Sequence, residues 1–127
     1  MAARDLSAFR RAGETLARLG LVRASEGNLS TFDGRTLAIT RTGCRLGELR
    51  AGDVLTGTLD EPPADASSDL AIHVAAYRER GAGAFAHAHP QGTVPEGWIP
   101  GEPHGTYAFA DTLEEAVAAL ARDAGVG

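Results

Sequence analysis

The chain has 127 residues, of which 43% are hydrophobic and 23% are charged, and its formal net charge at pH 7 is −5. These values are ordinary for a soluble globular protein, and they predict a single domain over residues 1–127 that can bury a core. The negative net charge, together with the lack of a basic stripe, argues against a nucleic-acid-binding surface.

Cysteine usage and hydropathy bear on the compartment. The single cysteine, Cys44, has no partner for an internal disulfide, which is typical of a reducing environment. The N-terminal stretch has no apolar core of a signal peptide, and no run of about 18 apolar residues could cross a membrane. We therefore expect a cytoplasmic protein whose partners include neither nucleic acid nor membrane.

The first elements are a helix and a turn-rich connection. Residues 5–19 repeat apolar side chains at helical spacing and stop at Gly20, which predicts an amphipathic helix. Residues 21–30 contain Gly27 and Asn28, which both tolerate left-handed backbone conformations. This connection is either a simple turn before a strand or a loop whose N–H groups and Asn28 amide cradle an anion.

Residues 31–40 carry the pattern of a β-hairpin. Asp33 and Gly34 form the turn signal, and a β-prone run follows them. A second small polar turn comes next, in which Thr42 and Gly43 could contribute to an anion site. A short helical turn and a further strand are expected beyond it, at residues 46–49 and 53–59.

The segment 66–90 carries much of the polar chemistry. Ser67 and Ser68 lie where a helix should begin, because serine oxygens can accept from the free N–H groups of a first turn. Asp69 is then expected in that first turn, near the positive end of the helix dipole. The same helix N-terminus could bind a substrate phosphate, and Gly81 and Gly83 should end the helix.

Three histidines lie in the same segment. Residues 84–89 predict a strand that places His87 and His89 on one face, because residues two apart share a face. Two imidazoles so placed can bind one metal ion, although two structural histidines on one strand face are the alternative. His73 is expected to be a structural histidine, or to orient Asp69 four residues before it.

The last part of the chain combines a loop, a strand and a helix. Residues 91–103 are rich in proline and glycine and predict a surface loop. His104 then precedes a strand candidate at 106–109 and a final helix. Thr112 and Glu115 have the spacing of a capping box at the start of that helix.

Four of these segments, in this order, resemble the class II aldolase/adducin family, and the resemblance spans about residues 6–90. The segments are Gly27-Asn28-Leu29-Ser30, Ile39-Thr40-Arg41-Thr42-Gly43, Ser67-Ser68-Asp69 with His73 and Tyr77, and His87-Ala88-His89-Pro90. The resemblance implies an α/β fold in three layers, with a mainly antiparallel central sheet flanked by helices.

The resemblance also implies a set of site residues. His87 and His89 would bind a divalent metal, usually zinc, with His104 as the third ligand. Asp69 stands where the family usually has the glutamate that moves a proton, and its side chain is shorter in reach by about 1.3 Å. In a rival alignment, residues 105–126 match the segment that comes before the third histidine. The implied phosphate-binding residues are Gly27, Asn28, Thr42, Gly43, Ser67 and Ser68.

Such a site implies a zinc-dependent aldolase-type lyase that acts on a small phosphorylated sugar or ketose through an enediolate. Epimerisation, dehydration or decarboxylation on the same site, and a non-catalytic adducin-like module, are alternatives. Relatives are cyclic tetramers with active sites between subunits, which implies a homo-oligomer. Only fourteen residues separate His89 from His104, where relatives usually have several tens of residues that help cover the cleft, so the resemblance implies a shortened form of the family. A metal enzyme that works only with a partner that supplies this missing cover is a further alternative.

Overall fold

The computed structural model of the chain describes residues 5–89 and 106–125. Within these ranges the helices and strands are α1 (Leu6–Arg18), β1 (Asn28–Phe32), β2 (Leu37–Thr40), β3 (Val54–Gly57), α2 (Leu70–Arg80), β4 (Gly83–Ala88), β5 (Thr106–Ala110) and α3 (Leu113–Asp123). Short 3₁₀ turns at Leu46–Glu48 and Ala51–Asp53 connect β2 to β3.

The strands form one sheet in the order β3-β2-β1-β4-β5, and each neighbouring pair is antiparallel. The mainly antiparallel sheet implied by the family resemblance is therefore confirmed. In the central pair, Asn28 of β1 lies opposite His87 of β4, and Ser30 lies opposite Phe85. This register brings polar residues from distant parts of the sequence to one end of the sheet.

Helices cover both faces of the sheet, as the resemblance implied. On one face, α1 and α3 pack on the alanines of β4 in an apolar core. On the other face, α2 packs on a second cluster that contains Tyr77, Leu37, Ile39 and Phe85. The three-layer α/β/α arrangement is thus confirmed.

The helix starts agree with the sequence in two cases and differ in one. Asp5 caps α1 by accepting from the Ala8 N–H at 3.1 Å, and Thr112 caps α3 by accepting from the Glu115 N–H at 3.2 Å. For α2, the prediction that Asp69 lies in the first turn is wrong, because Asp69 is itself the N-cap residue and its side chain makes no capping hydrogen bond. Its carboxylate is held instead by side chains of the sheet.

The serines before α2 also differ from expectation. Ser67 and Ser68 were predicted to begin the helix, whereas the helix begins at Leu70. Ser67 Oγ accepts from the Asp69 N–H at 3.3 Å, so it stabilises the turn that leads to the helix. None of the helices within the described ranges has the length and apolar character that crossing a bilayer requires.

Candidate active site

Four segments of the chain surround one small polar cavity of about 130 Å³. Every residue predicted to bind phosphate lies on its wall, together with Asp69 and His89. The lining residues are Ser25, Glu26, Gly27, Asn28, Arg41, Thr42, Gly43, Ser67, Ser68, Asp69 and His89. The fold thus brings the predicted anion-binding residues together where β1 and α2 begin and where β2 and β4 end.

Gly27 determines how closely the connection after α1 approaches β4. Its φ is +79°, and a Cβ atom there would lie 2.7 Å from Val22 Cγ1 and 2.8 Å from the carbonyl oxygen of His87. The His89 N–H donates to the Leu21 carbonyl at 2.8 Å on the same side. A side chain at position 27 would therefore separate the loop from the strand that carries both histidines.

The turn after β2 is fixed against the segment that precedes α2. The Thr42 N–H donates to the Asp65 carbonyl at 2.9 Å, and the Ser67 N–H donates to the Thr40 carbonyl at 3.0 Å. These bonds hold the two polar segments side by side on the cavity wall. They also occupy two of the backbone donors that an anion could otherwise use.

The cavity wall carries charges of both signs. Arg41 donates to the Asp53 carboxylate at 2.6 Å, and this hydrogen bond raises the pKa of Arg41. Glu26 lies on the same wall and accepts from the Arg23 N–H at 3.0 Å. Sequence reasoning gave neither Arg41 nor Glu26 a role, because their place on the wall depends on the way the loops fold.

Asp69, Asn28 and His87 form a hydrogen-bonded triangle beside the cavity. Asn28 Nδ2 donates to Asp69 Oδ2 at 2.8 Å, and His87 Nδ1 lies 2.6 Å from the same oxygen. Burial raises the pKa of the Asp69 carboxyl, but the hydrogen bond from Asn28 and the charge of His87 outweigh it, so the pKa lies below its usual value. Because an ionised carboxylate only accepts, His87 carries a proton on Nδ1.

The paired histidines lie close together, as the strand alternation predicted. Their ring centroids are 4.5 Å apart, and the rings are inclined by 48°. With Nδ1 of His87 bonded to Asp69, Nε2 is the ring nitrogen that would bind a metal. A carboxylate on the second nitrogen is the usual support of a metal-bound histidine.

The donor set therefore fits a divalent metal in part. Within residues 5–89 and 106–125, no group of three or more His, Cys, Asp or Glu side chains is arranged to hold a metal ion. The predicted third ligand, His104, lies outside the described residues. Two imidazole rings, one of them with a carboxylate support, suit zinc, which most often binds nitrogen and sulfur donors.

A buried polar chain continues from Asn28 away from the cavity. Asn28 Oδ1 is hydrogen-bonded to His73 Nε2, His73 Nδ1 lies 2.5 Å from Ser30 Oγ, and Ser30 Oγ lies 2.7 Å from Tyr77 Oη. His73 is fully buried, and burial lowers its pKa to about 3. Its ring is hydrogen-bonded to Asn28 and Ser30, and not to the Asp69 side chain as one of the two sequence interpretations held.

Tyr107 is a second residue whose position sequence reasoning did not reveal. Its ring stacks on His87, with centroids 4.1 Å apart and planes inclined by 8°. Its hydroxyl is buried without a hydrogen-bond partner within the described ranges, and burial raises its pKa to about 12. The pairing of β4 with β5 places Tyr107 opposite His87, so only the strand register could have signalled this contact.

Comparison with known proteins agrees with these observations. Residues 7–95 match the family model of the class II aldolase and adducin N-terminal domain. Over 84 residues the chain is 37% identical to a protein of Nocardia farcinica (strain IFM 10152) named probable bifunctional methylthioribose-1-phosphate isomerase/methylthioribulose-1-phosphate dehydratase. That match covers 61% of this chain and 15% of the relative.

Two solved structures extend the comparison. The crystal structure of L-fuculose-1-phosphate aldolase from Thermus thermophilus is 39% identical with a TM-score of 0.62, over 67% of this chain and 44% of that one. YgbL from Klebsiella pneumoniae has a TM-score of 0.80 over 98% of this chain and 87% of its own, and its 22% identity makes this a likeness of fold. The chain spans less than half the length of the Nocardia protein and of the Thermus aldolase. Because the family model matches most of the chain, over residues 7–95, the chain belongs to the class II aldolase/adducin family.

Proposed function

We propose that the chain is a zinc-dependent, aldolase-type carbon–carbon lyase that acts on a small phosphorylated sugar or ketose. The observation that carries the proposal is the juxtaposition of the His87–Asp69 pair and His89 with a polar cavity. A metal-binding pair, an ionised carboxylate and an anion-binding surface are the three parts that such chemistry needs.

In this proposal, His87 and His89 hold the metal, and His104 is the third ligand. A zinc ion held by these residues would supply Lewis-acid stabilisation of negative charge on the carbonyl and hydroxyl oxygens of the substrate. The buried ring of His87 is fixed by stacking on Tyr107 and by its hydrogen bond to Asp69. A fixed ring costs little reorganisation when a ligand binds.

Asp69 is the group that we assign to proton transfer. Its side chain is 23% exposed and lies on the cavity wall, so a substrate in the cavity can reach it. The hydrogen bonds from Asn28 and His87 both fall on Oδ2, and Oδ1 takes part in neither. Because these bonds keep the carboxylate ionised, Asp69 can accept a proton at neutral pH, although its lowered pKa makes it a weaker base than an ordinary aspartate.

The phosphate group of the substrate would lie against the serine and threonine side of the cavity. Since the Thr42 and Ser67 N–H groups already donate to backbone carbonyls, recognition falls on hydroxyl groups and on Arg41. The start of α2 adds the positive end of a helix dipole. The residues proposed to receive the phosphate together with Arg41 are Gly27, Asn28, Thr42, Gly43, Ser67 and Ser68.

One relative favours a second candidate reaction on the same site. The Nocardia protein, 37% identical over 84 residues, is named as a methylthioribulose-1-phosphate dehydratase in one of its two activities. Dehydration of a phosphorylated ketose begins with removal of a proton next to the carbonyl, whereas aldol cleavage begins with removal of a hydroxyl proton and then breaks a carbon–carbon bond. Both reactions pass through an enolate, so Asp69 and the histidines would serve either one. Product analysis distinguishes the two reactions, because an aldol cleavage yields two fragments and a dehydration yields one.

A turnover experiment tests the proposal directly. The protein, purified without a His-tag and supplied with zinc, is assayed against a panel of phosphorylated ketoses for cleavage, epimerisation, dehydration and decarboxylation. At saturating zinc we expect turnover by the wild type, bound zinc of lower affinity without turnover in Asp69→Asn, and loss of both zinc and turnover in His89→Ala. Asp33→Asn, in the β1–β2 turn, is the matched control and should behave as the wild type.

Two results would contradict this proposal. Zinc binding without turnover of any substrate would favour a non-catalytic adducin-like module, and full activity of Asp69→Asn would remove Asp69 from the reaction.

We also propose that residues 1–127 form one domain that assembles as a homo-oligomer, a tetramer by the family resemblance. Light scattering that finds a monomer at working concentration would contradict the assembly.

A further inference from the structure

The buried polar side chains beneath the cavity form a continuous hydrogen-bonded path between α2 and β1. Tyr77 and His73 come from α2, one helical turn apart, and Ser30 and Asn28 come from β1, two residues apart on one face of the strand. The path runs from Tyr77 Oη to Ser30 Oγ at 2.7 Å, from Ser30 Oγ to His73 Nδ1 at 2.5 Å, and from His73 Nε2 to Asn28 Oδ1. It ends at the residue that holds Asp69.

Burial removes water as an alternative partner for this path. Ser30 and His73 are 0% exposed, Tyr77 is 1% exposed and Asn28 is 4% exposed. His73 is neutral at physiological pH, because burial lowers its pKa to about 3. A neutral imidazole has one donor and one acceptor nitrogen, so the protons along the path have a defined order.

The order follows from the amide of Asn28. Its Oδ1 atom can only accept, so His73 Nε2–H donates to it, and His73 Nδ1 must then accept from the Ser30 hydroxyl. Ser30 Oγ in turn accepts from the Tyr77 hydroxyl. Hydrogen-bond donation along the path therefore has one direction, from Tyr77 toward Asn28, and His73 is in the Nε2–H tautomer.

The direction has a consequence at the candidate site. With Oδ1 bound to His73, the amide of Asn28 presents Nδ2–H to Asp69 Oδ2 at 2.8 Å. A flipped amide would place its oxygen against the Asp69 carboxylate and two acceptors would face each other. Oδ2 of Asp69 accepts this hydrogen bond from Asn28, and the same Oδ2 atom also accepts a hydrogen bond from Nδ1–H of His87.

We propose that His73 is a positioning residue of the site: by donating from Nε2 to Asn28, it sets the amide orientation that holds Asp69 and so keeps His87 in the Nδ1–H tautomer. Nε2 of His87 is then the nitrogen with a lone pair. That this lone pair binds a metal rests on the proposed function; the tautomers of His73 and His87 do not.

Nitrogen-15 NMR of the histidine rings in the metal-free protein tests the hydrogen-bond order. We expect Nε2–H at His73 and Nδ1–H at His87, with resonances assigned from single histidine substitutions. The wild-type spectrum alone decides the direction of the path, so the test does not depend on whether a variant folds. Nδ1–H at His73, or Nε2–H at His87, would overturn the proposal.

Two substitutions of His73, each of which mimics one side of the imidazole ring, then distinguish a positioning role of this residue from a role in packing alone. His73→Gln can place an amide N–H near the former Nε2 position, whereas the shorter His73→Asn can reach only the Nδ1 side. We expect His73→Gln to keep the His87 tautomer and His73→Asn to give a mixture of tautomers. Unchanged Nδ1–H at His87 in a folded His73→Asn protein would overturn the proposal.

Zinc affinity, measured by competition with a chelator, provides the second readout. Loss of a residue that supports a metal ligand typically weakens metal binding by about 10- to 100-fold, and we expect about tenfold for His73→Asn and near wild-type affinity for His73→Gln. Ile39→Ala is the control, because Ile39 is fully buried opposite Ser30 but lies outside the path. It should lose stability and keep its zinc affinity.

The two readouts also distinguish failure of this inference from failure of the proposed function. If the wild type binds no zinc, the metal site is wrong, while the tautomers of His73 and His87 still decide the positioning role. If the wild type binds zinc and His73→Asn binds it equally well, the positioning role is overturned and the metal site stands.

Discussion

The two faces of the central sheet have different roles. The face covered by α1 and α3 is apolar, and β4 contributes only the alanines Ala84, Ala86 and Ala88 to it. The face covered by α2 contains the polar path and the paired histidines beside a smaller apolar cluster. Neighbouring residues of one strand, such as Ala86 and His87, therefore serve different purposes.

This difference separates the packing that stabilises the fold from the polar groups of the candidate site. Small side chains on β4 let α3 approach the sheet closely, and that packing supplies fold stability without polar groups. The α2 face can then bury polar residues, because almost every one of them has a hydrogen-bond partner. Substitutions on the two faces should therefore have separable effects on stability and on the candidate site.

The largest expected effect is on the apolar face. Leu120 of α3 is fully buried in the cluster that contains α1 and α3. Leu120→Ala should lower the free energy of unfolding by about 3 kcal/mol, because it removes apolar contacts and leaves a cavity. Urea denaturation measures this loss, and zinc affinity should stay unchanged. A parallel loss of zinc affinity would show that the faces are not separable.

A smaller loss of stability is expected where the connection after α1 meets β4. Gly27→Ala meets both an unfavourable positive φ and contacts under 3 Å, so we expect a loss of about 2 kcal/mol together with weaker zinc binding. Gly20→Ala is the matched control, since Gly20 has a φ of +74° and a Cβ atom there would have nothing within 4 Å. It should lose about 1 kcal/mol and keep its zinc affinity. Equal zinc affinity in the two variants would contradict the role of Gly27.

The pH dependence of stability should identify His73 on the polar face. Its pKa is about 3 when folded and its ordinary value is 6.5, so between these values the unfolded chain binds a proton that the folded chain does not. The free energy of unfolding should therefore fall as the pH falls from 6.5 toward 3, by up to about 1.4 kcal/mol per pH unit from this residue. Denaturation at several pH values should give a flatter profile for His73→Gln. Identical slopes would contradict a neutral buried His73.

The smallest effects come from two buried tyrosine hydroxyls. Tyr77 Oη is bonded to Ser30, whereas Tyr107 Oη has no partner within the part of the chain that the structure describes. Tyr77→Phe should cost about 1 kcal/mol, and Tyr107→Phe should be neutral or slightly stabilising, because it removes an unpaired polar group. Thermal unfolding of the two variants measures the contrast, and an equal loss in both would contradict it.

Local pattern predicted much of the fold and part of the candidate site. Period-two alternation in β4 correctly paired His87 with His89, and helical spacing located α1 and α3. The start of α2 was predicted too early, because Asp69 bonds to the sheet instead of lying in the first turn. His104 lies outside the described residues, so its role as third ligand stays a prediction.

The polar path was beyond local pattern for a physical reason. His73 and Tyr77 show helical spacing, and Asn28 and Ser30 show strand alternation, but each pair alone is compatible with an ordinary surface. Their contact depends on the register that sets Asn28 opposite His87 and on the packing of α2 across β1. Register is set by the whole sheet, so no single segment of the sequence specifies it.

The central claim is that the α2 face carries a metal site at His87 and His89. Elemental analysis of metal per chain, on wild type, His87→Ala and Leu120→Ala purified without a His-tag, tests it most directly. We predict about one zinc or other divalent ion per chain in wild type and Leu120→Ala, and none in His87→Ala. No metal in the wild type after added zinc, or equal metal in His87→Ala, would contradict the account.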